Sequence, residues 1–402
     1  MSSASVTSSV FEKSSIFARS LPTEIGHRAP HPRGRYDFGI AYPDPDSLPL
    51  ADLAGATARA LEQEGRDLAL YLHPQGDEQL RAWTADRLVR RRGLSTDLDG
   101  VYLTEGSLRA VYDVSAVLLD PGDVILAEQF TYRGTLNIFR RFGADVRPIP
   151  CDDDGMLPEQ VDAAIARAVA EGRTVKMIYS IPTFQNPLGW VMSLERRRAL
   201  VEIARSHHLP ILEDDCYVDL RYEGDEVASM SSMAPECVVY VGSYSKVIAP
   251  GMRMGYLAGP AALLDRVAAV RDGAGVNPYA AMTVRHFVTQ GLEEHIEAAN
   301  AVLAARRDAM VEALDEYFAL FDGATWSRPQ GGLFIWLQMP EGVDMQAVAP
   351  RAAEHEVLVL PGAPLSPDGS EGAGCARLCF GYCAPNEIRE GIGILARVIA
   401  NQ

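Results

Sequence analysis

Lysine is scarce in this chain: only Lys13, Lys176 and Lys246 interrupt a complement of 37 basic residues that is otherwise arginine. Lys246 lies in SYSKVIAPGMRMGY, Ser243 to Tyr256, after the apolar run VVYVGS and before a turn set by Pro250 and Gly251. A primary amine condenses with a carbonyl to give a Schiff base, and a guanidinium does not. Ser243, Ser245 and Arg253 add hydroxyls and a planar cation that suit a phosphate.

A second cluster is PILEDDCYVDLRY, where Asp214 ends an apolar run and Tyr217 follows three residues later. A carboxylate at a strand end keeps a pyridinium nitrogen protonated, because a nearby opposite charge favours the charged form. A phenol three residues on can reach the oxygen on the next ring edge. Asn186 sits in a turn in SIPTFQNPLG. In LTEGSLRA, Gly106 and Ser107 open a helix directly after a strand, where free amides and the positive dipole end favour phosphate. Arg109 adds charge at that helix start, and Tyr132 in EQFTYRG can stack on a flat ring. Cys375, Cys379 and Cys383 recur every fourth residue but read as a strand entering a turn, so no metal site is expected.

These residues need a scaffold, and the hydrophobic pattern supplies one. The first residues read as a Ser-rich tail, followed by a proline-punctuated arm up to about Leu50. Helical spacing runs from Ala51 to Glu64 and from Asp77 to Arg92. From about Gly100, short β-rich runs alternate with amphipathic helices near 107–119, 135–142, 158–171 and 194–207. Such βα repetition predicts an α/β fold with a mostly parallel sheet wrapped by helices, and ligands bind at the carboxyl ends of its strands. A long amphipathic helix from Leu292 then leads into GGLFIWLQM, a helix over 345–355, VLVLPG, ARLCFGY and a final helix from Pro385, a smaller α+β unit. The expected division is residues 1–50 as tail and arm, 51–291 as the large domain and 292–402 as the small domain joined by part of the arm.

With 402 residues, 48% hydrophobic content and no apolar run of bilayer length, a soluble globular protein is expected. The net charge of −17 argues against nucleic acid or anionic membrane as main partner. Six cysteines in so long a chain make no disulfide framework, and no secretory signal is read, so a reducing cytoplasm is expected.

Taken in order, Y-x-x-P-x-G, G-S, P-G-D, Q-N-P-x-G, D-x-x-Y, S-x-S-K-x-x-x-P-G-x-R-x-G-Y, G-G-x-F-x-W and a late R-L resemble the fold-type-I, pyridoxal-phosphate-dependent aminotransferases of class I/II. YDFGIAYPDPDSLPL, EDDCYVDLRY and SYSKVIAPGMRMGYLAGP are similar to the 2-aminoadipate-type transaminases and to the aminotransferase-like domain of MocR-type regulators. The resemblance implies that Lys246 holds pyridoxal phosphate as an internal aldimine and then moves the Cα proton. It implies that Asp214 pairs with the ring nitrogen, that Tyr217 and Asn186 bond the phenolic oxygen, and that Tyr132 stacks on the ring. Ser107, the Leu108 and Arg109 amides, Ser243, Ser245 and Arg253 would hold the phosphate. Tyr71 would reach the neighbouring subunit's phosphate in a homodimer. Arg377 would clamp the carboxylate of an amino-acid substrate or 2-oxo acid, beside Asn186.

Three places depart from the pattern. FGIAYP puts Ile40 and Ala41 where the arm usually carries a Gly-Gly pair closing over the substrate. The residues after Gly106 read SLR, where glutamines are usual. Asn300 and Leu303 stand where Arg and Tyr are expected. An enzyme using the same Lys246 chemistry for elimination, replacement or cyclisation is the alternative. A pyridoxal-phosphate-sensing regulator would need a DNA-binding element, and the roughly 35 residues before the domain are too few and too proline-rich for one.

Overall fold

The computed structural model describes residues 34–71, 73–271 and 275–401, so the expected Ser-rich tail lies outside the described residues. Seven strands form the main sheet in the spatial order Val101–Thr104, Gly255–Ala258, Val238–Ser243, Ile211–Asp214, Val175–Ser180, Val124–Glu128 and Asp145–Ile149. All are parallel except Gly255–Ala258, which runs against both its neighbours. Val124–Glu128, Ile211–Asp214 and Val238–Ser243 are buried along their whole length, as expected where helices cover both faces. Each Val, Leu or Ile so buried contributes on the order of 1.5–3 kcal/mol.

The smaller sheet is antiparallel, in the order Thr325–Trp326, Phe334–Gln338, Cys375–Cys379, Leu360–Pro361. Side chains alternate along Cys375–Cys379. Ala376 and Leu378 enter the core of this unit, packing with Ile388, Ile392 and Leu395 of the last helix, Pro385–Ala400. Arg377 and Cys379 therefore face the large sheet, and Cys379 joins its core. The thiols do not share one environment: Cys383 packs in the smaller core instead.

The arm ties the two units together. Tyr36–Asp37 pairs in parallel with Val357–Leu358, and Tyr36 and Phe38 are buried in the smaller core. Ala41, a few residues on, packs against the large core. The helix expected from Leu292 proves to be the second part of a helical run over Pro278–Tyr317, broken at Gly291. Ala280 to Val288 are buried without interruption, so the first part shows no amphipathic period.

Candidate active site

Five loops leave the carboxyl ends of parallel strands on one side of the main sheet. They carry Gly106–Ser107 after Thr104, Tyr132 after Glu128, Asn186 after Ser180, Tyr217 after Asp214, and Lys246 after Ser243. Arg253 arrives at the same edge, because the antiparallel strand starting at Gly255 begins where its neighbours end.

Asp214 is buried and accepts a hydrogen bond from the Tyr179 hydroxyl at Oδ2 (2.8 Å) and from the Cys216 thiol at Oδ1 (2.7 Å). Burial pushes its carboxyl above the usual aspartate range, the two donors pull it back, and the charge of Asp215 adds to the rise. Lys246 is half-buried, with Nζ donating to the Ala41 carbonyl at 3.1 Å and 5.9 Å from the centre of the Tyr217 ring. Burial holds its ammonium below the ordinary lysine value; Arg377 and Arg253 act in the same sense, while the thiols of Cys379 and Cys216 oppose it. A lysine so placed is more readily the free amine that nucleophilic and proton-transfer chemistry requires.

From Tyr217 a polar chain leads to the smaller unit. Asn186 Nδ2 donates to the Tyr217 hydroxyl at 3.2 Å, and Arg377 Nη1 donates to Asn186 Oδ1 at 3.1 Å. Burial keeps the Tyr217 phenol protonated far above its ordinary range. Arg377 is 3% exposed, lies 4.5 Å over the Phe334 ring, and donates through Nη2 to the Gly39 carbonyl at 2.5 Å. Tyr132 caps the helix Arg133–Arg141, with its ring folded over Gly134. Arg377 and Asp214 both act on its phenol, which sets that ring beside the same cluster.

The start of the helix Ser107–Leu118 has the make-up of an anion site. Gly106 caps it at φ 86°, a left-handed backbone that favours glycine, and a Cβ there would stand 2.6 Å from Arg253 Nη2. Arg253 itself donates to the Glu105 carbonyl at 2.8 Å, holding its guanidinium over the helix start. Ser245 donates its amide to Ser243 Oγ at 3.1 Å, and its own buried Oγ has no partner among the described residues. Arg377 Nε is likewise buried and unpartnered among them. A phosphate at the helix start and a carboxylate at Arg377 answer these orphaned donors, so the residues present fit pyridoxal phosphate and an amino acid.

One expectation changes. Arg109 turns away: Nε pairs with Asp113 at 2.7 Å, and its amide donates back to the Gly106 carbonyl at 3.1 Å. The i,i+4 carboxylate within the same helix holds its guanidinium, and Ser107 and Leu108 keep the turn's free amides. Tyr71, expected to reach a neighbouring subunit rather than this chain's own site, is 91% exposed, beside Leu70 at 64%. Ile40, in the arm, is partly buried, and its amide donates to Asp37 at 3.3 Å. Asn300 reaches the carbonyls of Asp219 and Arg221, tying the DLRY turn to the long helix. Sequence reasoning missed Tyr179, Thr135 and Cys216, and the carbonyls of Gly39 and Ala41. A tyrosine inside an apolar strand looks like core, and carbonyls carry no residue signature.

The family model for aminotransferase class I and II matches residues 40–395. The 2-aminoadipate transaminase of Thermus thermophilus is 28% identical over 91% of this chain and 90% of its own length. An HTH-type transcriptional regulator of Bacillus subtilis, YisV, is 32% identical over 88% of this chain and 72% of its own. A crystal structure of Pyrococcus horikoshii kynurenine aminotransferase, solved with PMP, shares 31% identity and superposes with a TM-score of 0.85 over 91% of this chain and 90% of that one. By sequence and by fold, the chain belongs to the class I and II aminotransferases and is a fold-type-I transferase of amino groups.

Proposed function

We propose that this aminotransferase uses pyridoxal phosphate bound covalently at Lys246 and exchanges the amino group of an α-amino acid with a 2-oxo acid such as 2-oxoglutarate. The observation that carries this reading is the meeting of Lys246, Asp214 and the Tyr217–Asn186–Arg377 chain beside the Gly106 anion cradle. When bound, the cofactor supplies a carbonyl for amines and a ring that withdraws electrons from the substrate Cα.

The chain's residues divide the remaining work. Ser107 with the Leu108 amide, Ser243, Ser245 and Arg253 bind the phosphate. Tyr132 covers a ring face, and Asp214 holds the proton on the ring nitrogen. Tyr217 and Asn186 bond the ring oxygen. Arg377 takes the substrate carboxylate with two parallel hydrogen bonds, for which the Gly39 carbonyl must yield. The Lys246 amine would take the substrate Cα proton and give it back as general base and acid.

The exposure of Leu70 and Tyr71 supports a homodimer in which a second copy covers them and Tyr71 reaches the partner's phosphate. All six cysteines are unpaired, which fits a cytoplasmic protein, and among the described residues no helix is long and apolar enough to cross a membrane. The charge of −17 favours catalysis over the DNA binding that the regulator relative raises.

Borohydride reduction of the yellow holoprotein, followed by peptide mapping, should fix the label on Lys246. A protein that takes up no pyridoxal phosphate contradicts the proposal. A screen of amino donors, read by the cofactor's absorption change, identifies the substrate.

A further inference from the structure

Asp214 is held by groups that the reaction itself does not use. Tyr179 is fully buried, its ring fixed edge-on against Phe139 at 5.4 Å, and its hydroxyl lies 2.8 Å from Asp214 Oδ2. The same hydroxyl meets Thr135 Oγ1 at 3.1 Å, from the first turn of the helix that Tyr132 caps. Since Tyr179 gives its only proton to the carboxylate, Thr135 must donate to it, and the chain Thr135–Tyr179–Asp214 has one direction. Asp214 is also faced by Cys216 on Oδ1, by the Tyr132 and Tyr217 phenols, and by Asp215, which is paired with Arg92 (2.9 Å) and Tyr240 (3.1 Å). Asp215 opposes ionisation of its neighbour, while the Cys216 thiol and the Tyr179 hydroxyl both favour it; of the two the phenol O–H is the stronger donor, a thiol being a weak one.

We propose that Tyr179, anchored by Thr135, is a positioning residue that keeps Asp214 ionised and oriented toward the ring nitrogen of the cofactor. The proposal rests on the reading that pyridoxal phosphate binds here. The test compares wild type, Tyr179→Phe, Thr135→Val, Asp214→Asn and the Tyr179→Phe/Asp214→Asn double variant. Cofactor dissociation constants and the pH dependence of retention are measured, with thermal melting to confirm folding. Tyr179→Phe should weaken cofactor binding about tenfold, the loss of one charge-assisted hydrogen bond. Without the donor the Asp214 carboxyl rises further, so cofactor is lost on acidification at a pH about one unit higher than in wild type. Thr135→Val should shift both in the same direction by less, and it carries the comparison if Tyr179→Phe does not fold. In the Asp214→Asn background the Tyr179→Phe effect should vanish. Unchanged affinity and pH profile in Tyr179→Phe, or an equal loss in both backgrounds, overturns the proposal. A wild type that binds no pyridoxal phosphate overturns the functional reading and this inference with it.

Discussion

The two halves of the proposed pocket, one assigned to cofactor and one to substrate, are built differently. On the cofactor side, Gly106, Asp214, Ser243 and Lys246 stand on or just beyond the ends of buried strands, whose hydrogen-bond ladders fix them. On the substrate side, Arg377 comes from the smaller sheet and is held by Asn186 and by the carbonyl of Gly39, while Ala41 of the same arm receives Lys246. One side is preset by the sheet; the other is closed by a segment that joins both units. On the proposed reading, strand ends serve chemistry that must not vary, and the arm serves a pocket whose shape selects the substrate.

The largest blow to the preset side is Lys246→Ala. It should cut turnover by about 10⁴-fold or more and abolish the borohydride label, since both amine roles vanish. Arg377→Ala should break the other half alone: kcat/KM for amino donors should fall a few hundredfold, roughly 3 kcal/mol, through loss of a buried charged contact. Its cofactor affinity should stay near wild type. A matching loss of cofactor binding would mean that the two sides are not separable.

Glu128 tests the floor beneath the preset side. It ends strand Val124–Glu128, fully buried, with the Ser180 hydroxyl and the Ile181 amide both donating to Oε1 at 2.7 Å. Burial pushes its carboxyl up to about 7 despite those donors. A raised folded value means that its stability contribution is present at acid pH and is lost as pH rises from about 4.5 through 7. Glu128→Gln should therefore flatten the denaturation free energy across that window by roughly 3 kcal/mol. Parallel wild-type and variant curves would exclude Glu128 as the cause. The smallest effect is expected from Ile40→Gly, which should change the preference among amino donors by about tenfold and leave the cofactor spectrum untouched.

The same contrast explains what could be read from the sequence. Lys246, Asp214 and Gly106 were legible because apolar runs announce strands, and turn residues mark where they end. The direction of Gly255–Ala258 was not, since period-two burial is identical for parallel and antiparallel strands. Arg109 misled because its type suits a phosphate, while Asp113, one turn along the helix, takes its guanidinium. Tyr179 was hidden by burial, and the Gly39 and Ala41 carbonyls by belonging to backbone. The helix from Pro278 to Gly291 was missed because a stretch buried on every side has no polar face to betray its period.

One measurement goes to the centre of the proposed chemistry: a single half-reaction with holoprotein and a productive amino donor, without any 2-oxo acid. Pyridoxamine phosphate should accumulate equimolar with the active sites, and added 2-oxoglutarate should return it to pyridoxal phosphate. Repeated consumption of the donor with no pyridoxamine phosphate formed would contradict transamination and assign Lys246 to elimination, replacement or cyclisation instead.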